Sequence, residues 1–317
     1  MSDASHTWVF GATWLLLTVS IFLIPLLPAL RELYSRSDAA ALEIDHLDNG
    51  RTDYAALRML DQLPLLEEMP RSEQWQRDDR GQIVIPRGQT RLEARTMQSV
   101  VLGFRAQVKA LVSNETVELQ ANSMVLHVLH AQNIHCLGPV HLARLSSAAR
   151  NIVLSPGSRF QRMSAACIFT WPLKRSLGFP LDSLGEGMPL TALQQRHYGD
   201  LHIPAGTMVQ GGLVVTGNLW IEDMAVVTGH VKVHGNVTLA TGACVKGALF
   251  ALGDIHTLGS NYIEGPLCAG KHLQLGPNSQ IGSKQVPCSV SAWSIALLAS
   301  VRVYGSMSAV RSGQVVL

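Results

Sequence analysis

Aliphatic residues recur with a period of eighteen residues from Gly199 to about Gly282. Each unit begins with glycine and an acidic or amide residue, as in GDLHIPAGTMVQGGLVVT, which is followed at once by GNLWIEDMAVVTGHVKVH. Within a unit, aliphatic and polar residues alternate over short runs, which is typical of short β-strands with one buried face. Glycines between the runs indicate where the backbone turns.

The aliphatic residues occupy the same positions in successive units. The third positions are Leu201, Leu219, Val237, Ile255 and Leu273, the fifth are Ile203, Ile221, Leu239, Thr257 and Leu275, the eleventh are Val209, Val227, Val245, Ile263 and Ile281, and the fifteenth are Leu213, Val231, Leu249, Leu267 and, breaking the rule, Gln285. One unit cannot bury its apolar side alone, whereas stacked units can. The pattern therefore predicts an all-β solenoid, a parallel β-helix of about 18 residues per coil, with about 4.8 Å between coils.

A fainter copy of the repeat begins near residue 81, where GQIVIPRGQT has the layout of GDLHIPAGTM. Positions eighteen residues apart match in the pairs Ile134 and Ile152, Cys136 and Leu154, Leu142 and Phe160, Ser146 and Ser164, and Ala148 and Ala166. We assign 81–169 to a first, degenerate β-helical block and 199–317 to a regular block. Residues 170–198 form an insertion that packs on the solenoid or caps the first block. The residues predicted to form a last coil are Ile295, Leu297, Val303, Gly305 and Met307.

Residues 8–30 are predicted to form a transmembrane helix after a tail of residues 1–7. The stretch has no charged residue, and about 23 helical residues rise about 35 Å, enough to cross a hydrocarbon core of about 30 Å. A cleaved signal peptide is the alternative, but the tail has no Lys or Arg and no small-residue cleavage site follows. Because Arg31, Arg36 and Arg51 follow the span, the positive-inside rule predicts a single-pass protein with a cytoplasmic C-terminal domain.

Residues 31–80 are predicted to be a helical region and a linker. DAAALEIDHLDNG and DYAALRMLDQLPLLEEM place Leu, Ile and Met at helical spacings, with a break at Asn49 and Gly50. Asp53 is predicted to cap the second helix, and Pro64 and Pro70 limit its length. The linker is PRSEQWQRDDRG.

Composition narrows the classes of function. Hydrophobic residues make up 47% of the 317 residues and charged residues 15%, which is typical of a membrane segment, an extensive core, or both. A net charge of +2 with no Lys or Arg cluster along the sequence argues against a nucleic-acid partner. The 5 cysteines include no CxxC pair, which favours reduced thiols over a disulfide framework.

The histidines are the first candidates for a metal site. His202 and His256 share a column, but three coils separate them, about 14 Å, which is too far for one metal ion. His230 and His234 share a strand face at a similar separation. The residues clustered in the first block are His127, His130, His135 and His141. Alternation could bring two of them onto one face, but no cysteine or carboxylate completes a metal site.

The acidic and amide residues are predicted to be structural. Asp200, Asn218, Asn236 and Asp254 form a ladder that stabilises turns through side-chain-to-backbone hydrogen bonds. No facing pair of carboxylates for acid/base catalysis is visible, and no GxSxG, P-loop or GxGxxG pattern occurs. We therefore predict no catalytic, cofactor-binding or metal-binding residue, no nucleotide, and no enzymatic activity.

The unit G-[DN]-Φ-x-Φ … Φ-x-G-x-Φ-x-Φ, in which Φ is aliphatic, resembles the repeat of the bactofilins, the polymer-forming bacterial cytoskeletal proteins. The match covers residues 199–282 well and 81–166 loosely. The resemblance implies a right-handed β-helix that stacks end to end without nucleotide. It also implies a scaffold at the bacterial inner membrane that localises envelope-building enzymes. Two blocks, a transmembrane anchor and a helical pair depart from the family pattern, and the first two argue against free filament growth.

The predicted function is that of a membrane-anchored, bactofilin-like scaffold that self-associates or docks proteins of envelope or polysaccharide synthesis. One alternative is a left-handed hexapeptide-repeat enzyme of the acyltransferase type, because Ile203, Val209 and Val215 are six residues apart. Glycine rarely follows these aliphatic positions, which favours the bactofilin-like solenoid. The other alternative is a carbohydrate-binding solenoid, for which Trp171 and Trp220 are the obvious aromatic candidates.

Overall fold

The computed structural model describes most of the chain from residue 62 onward and a short stretch near its start. The described residues are 13–21, 24, 62–68, 75–79, 82–87, 92–142, 144–172 and 194–316. The chain divides into two compact units, Met1–Gly50 and Arg51–Leu317. In the first unit, residues 13–21 form a helix. Within the described ranges, no helix combines the length and the apolar character needed to cross a membrane, and most of the predicted span 8–30 lies outside those ranges.

Most of the predicted helical region 31–80 also lies outside the described residues. The described parts contribute a 3-10 helix, Leu66–Glu68, and the strand β1 (Gln76–Arg77). β1 belongs to the segment predicted as a linker, yet it pairs antiparallel with β2 (Ile83–Ile85). The physical reason is Trp75, whose side chain is buried as part of the solenoid core.

The second unit is a parallel β-solenoid of about 12 turns, as the eighteen-residue repeat predicts. The first block contains β2 and then β3 (Glu93–Thr96), β4 (Val100–Leu102), β5 (Gln107–Ser113), β6 (Thr116–Leu119), β7 (Met124–Cys136), β8 (His141–Leu142), β9 (Leu145–Leu154) and β10 (Arg159–Thr170). Longer strands such as β7 pass around a corner of the solenoid, because their two halves pair with different strands of the preceding coil.

The second block has shorter strands and sharper corners. It contains β11 (Gln194–His197), β12 (Leu201–Ile203), β13 (Met208–Val209), β14 (Gly212–Val215), β15 (Leu219–Ile221), β16 (Val226–Val227), β17 (Val231–Val233), β18 (Val237–Leu239), β19 (Cys244–Val245), β20 (Leu249–Ala251), β21 (Ile255–Thr257), β22 (Tyr262–Ile263), β23 (Leu267–Ala269), β24 (His272–Leu275), β25 (Gln280–Ile281), β26 (Cys288–Leu297) and β27 (Arg302–Val315). The predicted columns pair in register, for example Leu201 with Leu219 and Leu219 with Val237.

The inward columns of both blocks form one continuous hydrophobic core. By the eighteen-residue count, Gln285 would follow Leu267 in the inward column. In the structure Val290 occupies that position and pairs with Leu267. The extra residues between Ile281 and Val290 leave the strands and form a loop, so the register of the core is kept. The predicted last coil is confirmed, because Ile295 pairs with Leu273 in β24.

The coils of the first block are shorter than predicted. The residues that pair in succession at intervals of seventeen are Ile83, Val100, Val117 and Ile134. Ile134 then pairs with Ile152 as predicted, but Ser146 pairs with Met163 rather than with Ser164. Strand pairing constrains only the strands, so a corner can lose one residue while the inward side chains stay aligned. This variation explains why the repeat is faint in this part of the sequence.

The two blocks meet through their last coils. β10 and β27 pair antiparallel, with Met163 opposite Met307 and Ile168 opposite Val303. The N–H of Thr170 donates to the carbonyl oxygen of Val301 at 3.1 Å, and the N–H of Val301 donates to Thr170 Oγ1 at 3.0 Å. The first block therefore runs toward the junction and ends there at Pro172. The second block begins at its far end, at Gln194, and runs back to the junction.

Three faces run through both blocks. Face 1 contains β12 and β15, face 2 contains β11 and β14, and face 3 contains β13 and β16. In the first block β8 continues face 1, β3 continues face 2, and β2 and β4 continue face 3. The second block visits the faces in the order 1, 3, 2 and the first block in the order 1, 2, 3. Because the blocks also advance in opposite directions along the axis, they have the same hand.

Candidate interaction surfaces

The ladder of acidic and amide residues lies at the corner between faces 2 and 1, and its structural role is confirmed. The N–H of Asn218 donates to Asp200 Oδ1 at 2.7 Å, and the N–H of Asn236 donates to Asn218 Oδ1 at 2.9 Å. Asp254 continues the ladder by donating its N–H to Asn236 Oδ1 at 2.8 Å. Each side chain thus satisfies a backbone donor of the next coil, which is a turn-stabilising arrangement.

The glycines that precede Asn218, Asn236 and Asp254 are required by the close approach of coils. A Cβ on Gly217 would lie 2.5 Å from the carbonyl carbon of Gly199. Real side chains do not tolerate such a distance to backbone. The glycine and the acidic or amide residue that follows it therefore act together. The glycine leaves room for the ladder side chain of the preceding coil, which accepts a hydrogen bond from the next N–H.

The histidines of the second block do not meet. His202 and His256 lie in one outward column on face 1, three coils apart, as predicted. His202 Nε2 lies 2.6 Å from Glu222 Oε1 on the next coil, and both side chains are largely exposed. His230 and His234 flank β17 at opposite ends, and His230 Nδ1 accepts a hydrogen bond from the N–H of Ala248 at 2.9 Å.

The histidines of the first block point in different directions. His141 lies on face 1, His130 on face 2 and His135 on face 3, while His127 lies at the corner between β7 segments that belong to faces 1 and 2. His130 Nδ1 lies 2.8 Å from Ser147 Oγ. Among the described residues, no group of three or more His, Cys, Asp or Glu side chains could hold a metal ion.

Burial makes several cysteine thiols poor nucleophiles. Burial raises the pKa of Cys244 and of Cys288 to about 11, and it raises the pKa of Cys136 still further. It also raises the pKa of Cys167, although nearby Arg302 opposes the shift. Because the thiolate is the reactive form, these four thiols are protonated and inert near neutral pH. These cysteines therefore contribute to the packing of the solenoid.

The end of the first block is covered. Leu66 and Trp75 are buried in the core at this end, and β1 pairs with β2. Next to them, the N–H of Arg95 donates to the carbonyl oxygen of Pro64 at 2.9 Å. The residues before the first coil therefore cap it with both apolar side chains and backbone hydrogen bonds.

The far end of the second block has unpaired strand edges. Within the part of the chain that the structure describes, β11, β12 and β13 pair only with the strands of the next coil. The N–H of Leu201 donates to Asn218 O at 2.8 Å, and Ile203 O accepts from the N–H of Glu222 at 3.0 Å. Because alternate residues of a parallel strand direct their backbone groups to opposite sides, the N–H and C=O of His202 point to the open edge.

Carboxylates are unevenly distributed along the solenoid. Residues 119–172 and 265–317 contain no Asp or Glu, and the cationic residues within them are Arg144, Arg150, Arg159, Arg162, Lys271, Lys284, Arg302 and Arg311. The antiparallel pairing of β10 with β27 brings these two stretches together at the centre. The prediction that there is no basic cluster considered only residues that are close in the sequence. It did not detect this region, because the two stretches that form it are far apart in the chain.

Comparisons with protein-family models, with curated proteins and with solved structures found no match to this chain. Any functional proposal therefore rests on the residues of the solenoid and on the resemblance of their repeat to that of the bactofilins.

Proposed function

We propose that this chain is a bactofilin-like structural scaffold, anchored in the bacterial inner membrane through residues 8–30, with its solenoid in the cytoplasm. It self-associates or docks proteins of envelope or polysaccharide synthesis. The proposal takes the solenoid as right-handed, as the resemblance implies for both blocks. The observation that carries it is that β11, β12 and β13, at the far end of a long, continuously bonded solenoid, have no strand on their outer edge among the described residues. Such an edge is a template for pairing with another chain.

The cap on the first block limits how far such assembly goes. Leu66 and Trp75 cover that end, and the junction uses the last coils of both blocks. Among the described residues, one solenoid end is therefore left for end-to-end contact. A surface that meets its own copy forms a closed dimer about a two-fold axis. The antiparallel pairing of β10 with β27 shows, within one chain, how two such solenoid ends fit together.

The backbone of His202 gives a direct test. His202→Pro removes an N–H that points to the open edge, and proline is tolerated at edge strands because no ladder bond is lost. His202→Ala removes the side chain and its contact with Glu222 but keeps the N–H. We expect the full-length wild-type chain and His202→Ala to form end-to-end pairs, and His202→Pro to pair at least tenfold more weakly.

The measurement is sedimentation equilibrium of the detergent-solubilised chain, combined with negative-stain imaging of particle length. At concentrations at which both variants are monomeric, thermal unfolding should show the same midpoint for His202→Ala and His202→Pro, which establishes that both are folded. A wild-type chain that stays monomeric at every concentration, or a His202→Pro variant that pairs as well as His202→Ala, would contradict the proposed self-association.

A further inference from the structure

A corner at the centre of the solenoid collects cationic side chains from both blocks. Arg144 lies between face 1 and face 2, because Leu142 pairs with Phe160 and Ser146 pairs with Met163 on either side of it. Arg162 occupies the same corner on the next coil. The two coils of the first block that are nearest to the junction thus each place an arginine at this corner.

The second block continues the same corner. Trp293 lies between Ala292 on face 2 and Ser294 on face 1, and these two residues pair with Ala309 and Ser312 of β27. Arg311 is therefore one coil from Trp293. Across the antiparallel junction it lies in the irregular stretch of β27 between Ser308, which pairs with Arg162, and Gly313, which pairs with Phe160. Lys271 lies one coil further on, because His272 pairs with Ser294.

We call this set the basic corner, and its members in spatial order are Arg144, Arg162, Arg311, Trp293 and Lys271. They lie on five successive coils, which spans about 19 Å at the usual spacing of strands. All five side chains are exposed, and so is Val310 beside Arg311. None of the four cations forms an ion pair with a described residue, since the described pairs join Lys109 with Glu93 and His202 with Glu222.

The shape and composition of the basic corner distinguish between anionic partners. A corner of a solenoid is convex, so it touches a flat surface along a line, whereas it offers no groove to hold a flexible chain. Trp293 is 48% exposed and Val310 is 65% exposed, and both lie between the cations. Exposed apolar side chains add little to a contact with the phosphate backbone of a nucleic-acid duplex, but they enter the boundary between lipid headgroups and acyl chains.

We infer that the basic corner is a binding surface for an anionic membrane. The arginines and Lys271 lie among the headgroups of acidic lipids, and Trp293 and Val310 insert at the interface. This contact is separate from the predicted span 8–30 and does not depend on self-association of the far end. It lays the axis of the solenoid parallel to the bilayer and directs face 3, opposite this corner, away from the lipid.

Vesicle binding by residues 51–317 tests the inference. This compact unit contains the whole solenoid core, and its use removes the apolar segment 8–30, which would partition into vesicles by itself. The corner variant is R144Q/R162Q/R311Q. The control variant R105Q/R150Q/K232Q removes the same number of exposed charges away from the corner.

We expect the wild type and the control variant to cosediment with phosphatidylcholine vesicles that contain phosphatidylglycerol, and neither to bind phosphatidylcholine alone. The corner variant should bind the acidic vesicles at least tenfold more weakly, and added salt should reduce wild-type binding. Equal losses in both variants, or wild-type binding that does not require phosphatidylglycerol, would overturn the inference. Far-UV circular dichroism and thermal unfolding verify that each variant is folded.

A second variant separates a membrane from a soluble polyanion. W293A/V310S keeps every charge but removes the apolar side chains, so it should weaken vesicle binding severalfold and leave binding to a DNA duplex unchanged. If instead W293A/V310S binds vesicles like the wild type, and the DNA duplex binds the wild type more tightly than vesicles do, the basic corner is a polyanion site and the membrane inference is wrong.

Discussion

The glycines of the second block are not equally constrained by packing, and two of them show the contrast. A Cβ on Gly247 would lie 2.6 Å from the carbonyl carbon of Gly229 on the preceding coil. A Cβ on Gly212 would lie 3.4 Å from its nearest neighbour, the carbonyl oxygen of His230, which is an ordinary contact distance. The same residue type is thus required by packing at one corner and replaceable on a neighbouring strand.

We predict that Gly247→Ala destabilises the solenoid by about 1–3 kcal/mol, because the two coils must separate to admit the methyl group. Gly212→Ala should be neutral or stabilising by up to about 1 kcal/mol, because it lowers the entropy of the unfolded chain. Urea unfolding of the two variants measures both values. Similar losses for both would contradict the packing explanation.

A second residue-scale prediction concerns Cys244 and alkaline pH. Burial raises the pKa of its thiol from 9.0 to about 11, so above pH 9 the unfolded chain loses this proton before the folded chain does. The stabilisation is complete below pH 9 and is lost as the pH rises toward 11, at up to about 1.4 kcal/mol per pH unit. Urea unfolding at several pH values should show this slope, and Cys244→Ala should reduce it. Identical slopes in both proteins would contradict the prediction.

At the scale of elements, the antiparallel pair β10 and β27 depends on matched sizes across the junction. Phe160 lies opposite Gly313, and its ring is buried over that glycine. A Cβ on Gly313 would overlap the ring. The aromatic side chain of one block therefore fills the space that the absence of a side chain leaves in the other.

We predict that Gly313→Ala destabilises the protein by about 1–3 kcal/mol through overpacking. The smaller side chain in the double variant F160L/G313A should recover part of that loss, so the two substitutions should couple favourably in a double-mutant cycle. Thermal or urea unfolding of the single and double variants supplies the cycle. Strictly additive effects would show that the two side chains do not pack against each other.

At the scale of the whole molecule, the sequence predicts the solenoid but not the way its blocks join. The inward columns from Leu201 to Leu273 could be predicted because alternation and an eighteen-residue period have a single physical explanation. The direction in which β27 meets β10 could not, since a period describes stacking within a block and carries no information about the contact between blocks. The seventeen-residue coils that begin at Ile83 weakened the pattern further.

The basic corner escaped prediction for the same reason. Arg162 and Arg311 are far apart along the chain, and they become neighbours only through the antiparallel junction. By contrast, the separation of His202 from His256 by three coils could be predicted from coil spacing, because both residues belong to the regular block. Clusters of side chains from both blocks can be identified only in the structure, whereas columns within one block can be predicted from the repeat.

The junction also determines when the molecule can be completed during synthesis. Thr170 and Val301, which bond across it, are 131 residues apart. β10 therefore leaves the ribosome long before its partner, and its outer edge stays without that neighbour while the second block is made. β27, which is translated much later, supplies the missing strand. A nascent chain thus carries an adhesive edge while the 131 residues from Thr170 to Val301 are made, and it loses this edge in one late step.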